Sequence, residues 1–111
     1  NTSVTAILAK YGDENIFDFI AKQFENLNDQ SAEKFYMTVA FGQLLQKVNS
    51  PSKFKKGIDL IVKFRESIPK EYRSQSDPYF NTKVLAEILK AKKGKAQQDL
   101  VDMVTAVIPK M

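Results

Sequence analysis

The side chains best equipped for chemistry gather in one stretch, Tyr72-Arg73-Ser74-Gln75-Ser76-Asp77-Pro78-Tyr79. It sets a guanidinium, a primary amide and two phenols close together. Such groups on a connecting segment suit a binding surface. The alternative is a turn in which Asp77 caps the next helix and the aromatics fold under it. Two further pairs, Asp18 with Lys22 and Asp59 with Lys63, stand four apart with the acid first. That order supports a helix by about 0.2–0.5 kcal/mol per exposed pair. They read either as a charge ladder between stacked units or as solvated pairs. No calcium-loop pattern, no glycine-rich phosphate loop and no selected pair of acids is present. The chain holds no His and no Cys. That removes thiol nucleophiles, disulfides, Cys/His zinc sites and imidazole acid–base work. By itself this chain is expected to be no enzyme and to hold no cofactor.

The elements that would position these groups repeat. Ile16-Phe17-Asp18-Phe19-Ile20-Ala21-Lys22 returns as Gly57-Ile58-Asp59-Leu60-Ile61-Val62-Lys63, and more loosely as Leu100-Val101-Asp102-Met103-Val104-Thr105-Ala106. The aspartates lie 41 and then 43 residues apart. Phe35 to Leu45 aligns without gaps on Tyr79 to Leu89, and Asn1 to Ala6 echoes Asn81 to Ala86. Two alternating helix types at a period near ~40 residues predict an all-α superhelix of stacked antiparallel pairs, of the HEAT or armadillo kind. Phrase helices are expected over 13–27, 52–68 and 97–108 in one layer. A short helix at 3–10, a broadly apolar one ending near Val48 and one over 78–93 should form the other. Ser31, Ser50-Pro51 and Asp77-Pro78 read as helix starts, Pro69 and Pro109 as stops, and Gly12 and Gly94 as left-handed ends. The longest connection is expected over residues 70–77. Gly42 and Gly57 fall inside helices, where glycine costs about 1 kcal/mol against alanine. They read as points of close backbone approach, or else as tolerated defects.

At 111 residues with 43% hydrophobic and 27% charged side chains, the composition is that of one soluble globular domain, residues 1–111. No apolar run is long enough to span a bilayer, so no membrane partner is expected. The net charge of +4 is mild, with lysines clustered at Lys53-Phe54-Lys55-Lys56 and Lys90-Ala91-Lys92-Lys93-Gly94-Lys95. Without an arginine stripe or reading motif these suit helix C-terminal dipoles better than nucleic acid. A weak hold on an anionic surface is the residual possibility. The start at Asn-Thr-Ser, without Met, suggests a processed or excised piece of a larger protein.

Four stretches together resemble a known family. They are Tyr11-Gly12-Asp13-Glu14-Asn15-Ile16-Phe17-Asp18-Phe19, Glu33-Lys34-Phe35, Phe54-Lys55-Lys56-Gly57-Ile58-Asp59 with Ile68-Pro69, and residues 72–79 quoted above. The chain resembles the C-terminal helical domain of zinc aminopeptidases of the aminopeptidase N and leukotriene-hydrolase type, nearest their Bacteroidetes branch. The resemblance implies a non-catalytic α-superhelix that walls and gates a peptide chamber. Its partners would be the catalytic domain of the same polypeptide and the peptide substrate. Zinc would belong to that other domain, on His-Glu-x-x-His, and no zinc or catalytic residue transfers here. What transfers is a basic residue meeting a peptide's C-terminal carboxylate, for which Arg73, with Gln75 beside it, is the position of choice. Compartment stays open between periplasm and cytoplasm. The rival reading is an independent HEAT-like scaffold for a partner protein.

Overall fold

The computed structural model describes residues 2–110, and within them every regular element is helical. The α-helices are α1 (Thr2–Tyr11), α2 (Phe17–Asn26), α3 (Ala32–Leu45), α4 (Pro51–Ser67), α5 (Lys70–Tyr79), α6 (Ala86–Gly94) and α7 (Gln98–Val107). A π-helical segment, Phe80–Leu85, fuses α5 to α6, and 3₁₀ turns at Glu14–Ile16 and Ile108–Lys110 precede α2 and follow α7.

Local chemistry accounts for most boundaries. Asp13 accepts from Asn15 N at 2.9 Å and starts the turn into α2. The hydroxyls of Ser31 and Ser50 accept from the backbone N–H groups of Lys34 and Lys53 at 3.2 and 3.4 Å, capping α3 and α4. Pro51 occupies the first turn of α4, where its missing N–H is no loss. Ile68-Pro69 ends that helix.

Packing follows two series. α3 lies between α1 on one side and the π segment with α6 on the other, while α4 lies between α2 and α7. Contacts across the series join α1 to α2, α2 to α3, α3 to α4 and α6 to α7. The 36 × 32 × 19 Å slab has the thickness of two helix layers. The central position of α3 explains its apolar breadth: Met37, Ala40, Phe41, Leu44 and Leu45 are all buried. Aromatic rings then bind the layers. Phe24 stacks on Phe41 at 4.8 Å, meets Phe64 edge-on at 5.9 Å, and Phe64 meets Phe80 at 6.0 Å. Both internal glycines lie where helices meet. A Cβ on Gly42 would stand 2.9 Å from Val84 Cγ1, and one on Gly57 would collide with the Leu45 side chain.

Three expectations are overturned. Residues 70–77 are no loop but helix α5, and Pro78 lies inside a continuous helical path rather than at a start. Proline has no N–H for the carbonyl one turn back, and the wider π turn that follows absorbs the mismatch. Thr82 Oγ1 donates to Pro78 O at 2.7 Å, satisfying a carbonyl in that widened turn. Asp77 is no cap here: it takes two hydrogen bonds from Arg65, at 2.9 and 2.8 Å, and so fastens α5 to α4. Gly12 and Gly94 are not left-handed. Among the described residues the left-handed one is Ala96, at φ 56°. Gly12 is instead required by space, since a Cβ there would strike the Ile16 side chain and Leu8 O.

Candidate functional site

Of residues 72–79, Tyr72, Gln75 and Ser76 lie in one wall of a cavity. Its volume is about 580 Å³, and it opens at the corner where α4 turns into α5, opposite the N-terminus of α3. Phe35, Phe64, Ile68 and Tyr72 give it apolar walls; Gln30, Ser31, Gln75 and Ser76 are among its polar lining. Pro69 makes the corner by directing the chain from α4 into α5, and the Arg65–Asp77 fork holds the angle. Phe35 is fixed from behind by Tyr79, stacked at 4.7 Å, and by Phe80, edge-on at 5.6 Å. Burial raises the pKa of the Tyr79 phenol, with the neighbouring Tyr36 adding to the shift.

One charged side chain, Asp29, is among the residues that line the cavity. Asp29, at its rim, is neutralised by Lys34 Nζ at 2.6 Å. Ser76 is 8% exposed and its hydroxyl finds no partner. The cavity thus offers apolar walls, an amide and a hydroxyl, with one paired carboxylate among its lining.

Arg73 and Gln75 are not brought together. Two residues apart on α5, they diverge by roughly 200° around the helix, and only Gln75 lines the cavity. Arg73 turns to the end of α4, where Nε donates to Ile68 O and Nη2 to Glu66 O, each at 2.9 Å. Its guanidinium caps carbonyls that the helix leaves open.

That use of a cation recurs, and the sequence did not reveal it. Lys47 Nζ donates to Lys10 O at 2.9 Å, closing α1. Lys34 Nζ donates to Glu25 O and Leu27 O at 3.5 and 3.3 Å, closing α2, and lies over the rings of Phe24 and Phe64. Lys92 Nζ donates to Gln46 O and Val48 O at 3.1 and 2.6 Å, closing α3 over the Phe54 ring. Lys95 adds a bond to Gln46 O at 3.1 Å. Lys92 and Lys93 lie in the last turn of their own helix, as the sequence suggested, and Lys92 and Lys95 also reach the end of the neighbouring α3. Lys92 is wholly buried, and desolvation, with repulsion from Lys95, lowers its pKa to about 8. The opposite device opens α4: Glu14 accepts from Asn49 N and Ser50 N at 2.6 and 2.7 Å, and those bonds lower its pKa. A signal was present in retrospect, since Lys34 and Lys92 both occupy otherwise apolar helix faces.

Of the predicted ion pairs, Asp59 is bonded to Lys55 at 2.8 Å, one turn before it rather than after. Among the described residues no group of three or more Asp or Glu side chains converges to hold a metal ion. Among the same residues no helix is long and apolar enough to cross a membrane. No protein-family model, curated protein or solved structure matches the chain.

Proposed function

We propose that the chain is a non-catalytic α-superhelical domain of a zinc aminopeptidase of the type it resembles, walling the chamber in which peptides are held. The observation that carries this reading is the cavity at the α4–α5 corner. Ile68, Pro69, Tyr72, Gln75 and Ser76 of its lining lie in or beside the stretches that carry the resemblance, and it has the size and the apolar walls to hold a peptide side chain. The stacked superhelix is supported by the serial packing of α1, α3 and α6 in one layer and α2, α4 and α7 in the other.

In this role the domain performs no bond-breaking step. Phe35, Phe64 and Tyr72 remove an apolar side chain from water, while Gln75 offers an amide at the rim. Such binding far from the reacting bond selects among peptides and leaves small chromogenic substrates indifferent.

Reading the coding sequence upstream of Asn1 tests the assignment. A His-Glu-x-x-His motif in the same frame supports it, and an unrelated sequence overturns it. In the whole enzyme, Tyr72→Ala should then raise KM for apolar peptides several-fold and leave an amino-acid arylamide unchanged. The rival, a free-standing HEAT-like scaffold, is favoured by one observation: Tyr36 and Tyr72 are 71% and 58% exposed, in the manner of interface anchors.

A further inference from the structure

Four of the large apolar side chains that face solvent lie on a single short helix. Val4, Ile7, Leu8 and Tyr11 of α1 are 54%, 57%, 42% and 74% exposed, at the three- and four-residue spacing of a helix seam. The opposite face of α1, with Thr5 and Ala9 buried, lies on the side that packs within the fold. The sequence match between Asn1–Ala6 and Asn81–Ala86, whose first residue lies outside those described, continues to pair Leu8 with Ile88. Val84 and Ile88 are both buried, and both lie beside Gly42 of α3. At the contact of α3 with α6, then, the later helix meets its predecessor with a branched aliphatic pair and the earlier one offers a small residue. Ala6 of α1 matches Gly42 of α3 in that scheme.

The lysine caps show the same direction of stacking. Lys47, just past the end of α3, reaches back to the last carbonyls of α1, and Lys92, near the end of α6, reaches back to those of α3. α1, α3 and α6 therefore run parallel, each leaning on the one before. The outer stripe of α1 is the surface through which α1 would lean on a helix of its own.

We infer that this stripe is the seat of one more helix of the same layer, contributed by the same polypeptide ahead of α1. That helix runs parallel to α1 and presents a Gly or Ala between Val4 and Leu8, as Gly42 does to Val84 and Ile88. The inference rests on the reading of the chain as a domain of a larger protein and names the surface by which it joins. A second copy of the chain is the poorer occupant. α1 has ten residues, and a contact about 15 Å long falls short of the roughly 1,200 Å² that stable pairs of free proteins bury.

The test compares the 111-residue chain with the natural polypeptide that reads through residue 1. An Ile7→Glu, Leu8→Lys double variant should lower the Tm of the longer protein by about 3 °C or more and that of the short chain by less. Amide exchange over residues 4–11 should be roughly tenfold slower or more in the longer protein. Equal losses in both proteins, or none in either, overturn the proposal, as does an open reading frame with no helix ahead of α1. A concentration-dependent dimer of the short chain that the double variant abolishes overturns it in favour of a second copy. A zinc motif in frame, with α1 still exchanging fast, sinks this inference and leaves the domain assignment standing. A covered α1 with no zinc motif does the reverse.

Discussion

Five cations reach helix-end carbonyls in this molecule, and each is a single replaceable residue. Arg73 is the plainest case. Its two bonds to the carbonyls of Ile68 and Glu66 are charge-assisted but only half-buried, so Arg73→Ala should cost about 1 kcal/mol in urea unfolding. In a whole aminopeptidase that loss would weaken turnover of peptides and arylamides alike, whereas a selective loss on peptides would show that Arg73 leaves α4 for the substrate carboxylate. Lys92 makes a pH prediction. Its folded pKa of about 8 lies below the ordinary lysine value of 10.5. Between those values the unfolded chain binds the extra proton, so stability should rise with pH across that window. The slope can approach, but not exceed, about 1.4 kcal/mol per pH unit. Glu14 and Lys95, the charges that face Lys92, are unchanged in a Lys92→Met variant, which should lose the rise. A wild-type curve parallel to the variant's would place the ammonium in contact with water.

At the scale of elements, the helix starts were legible because they are local: Ser31, Ser50-Pro51 and Asp13 act within three residues of themselves. The stop at Ile68-Pro69 was legible for the same reason, but the cations that close the helix ends were not, because they reach carbonyls elsewhere in the chain. Helix α5 was hidden for a related reason. Ser74-Gln75-Ser76-Asp77-Pro78 carries every local sign of a turn, yet Arg65, twelve residues earlier, takes Asp77 away from capping. The cavity was legible only in part, since Tyr72 and Gln75 were on the page while Phe35 and Phe64 joined them through tertiary packing. The end of α6 offers a sharp test of the same point. Gln97 N donates to Lys92 O and Ala96 N to Lys93 O, both at 3.0 Å, which closes the helix with Ala96 in the left-handed position. The glycine suited to that place stands two residues early, exposed and with nothing near its missing Cβ. Exchanging them, Gly94→Ala with Ala96→Gly, should raise stability by roughly 1–2 kcal/mol, read as a higher urea midpoint at unchanged slope. No gain would mean that Ala96 is held left-handed without strain.

The whole molecule combines a repeat sequence with ties that cross the repeats. Helical arrays with only neighbour contacts unfold piecewise when their units are unequal, and the unit around α1 is the weakest here by exposure. Against that, Glu14 joins the turn before α2 to the start of α4, and Lys92 joins α6 to the end of α3. The rings of Phe24, Phe41, Phe64 and Phe80 pass through α2, α3, α4 and the π segment without a break. Opening any one of these layers exposes aromatic surface in the next and strands a buried ammonium, a cost of several kcal/mol that local fraying cannot meet. The chain from α2 to α7 should therefore unfold as one unit. Far-UV circular dichroism and tyrosine fluorescence should give coincident urea transitions, with α1 alone exchanging its amides ahead of the rest. In a Tyr11→Phe variant, which removes the tyrosine of α1, Tyr36, Tyr72 and Tyr79 report from the cavity side and the dichroism from all the helices, so an earlier fluorescence transition would show the α4–α5 corner opening independently. That outcome would turn the corner from a fixed wall into a moving one, and with it the cavity from a binding surface into a gate.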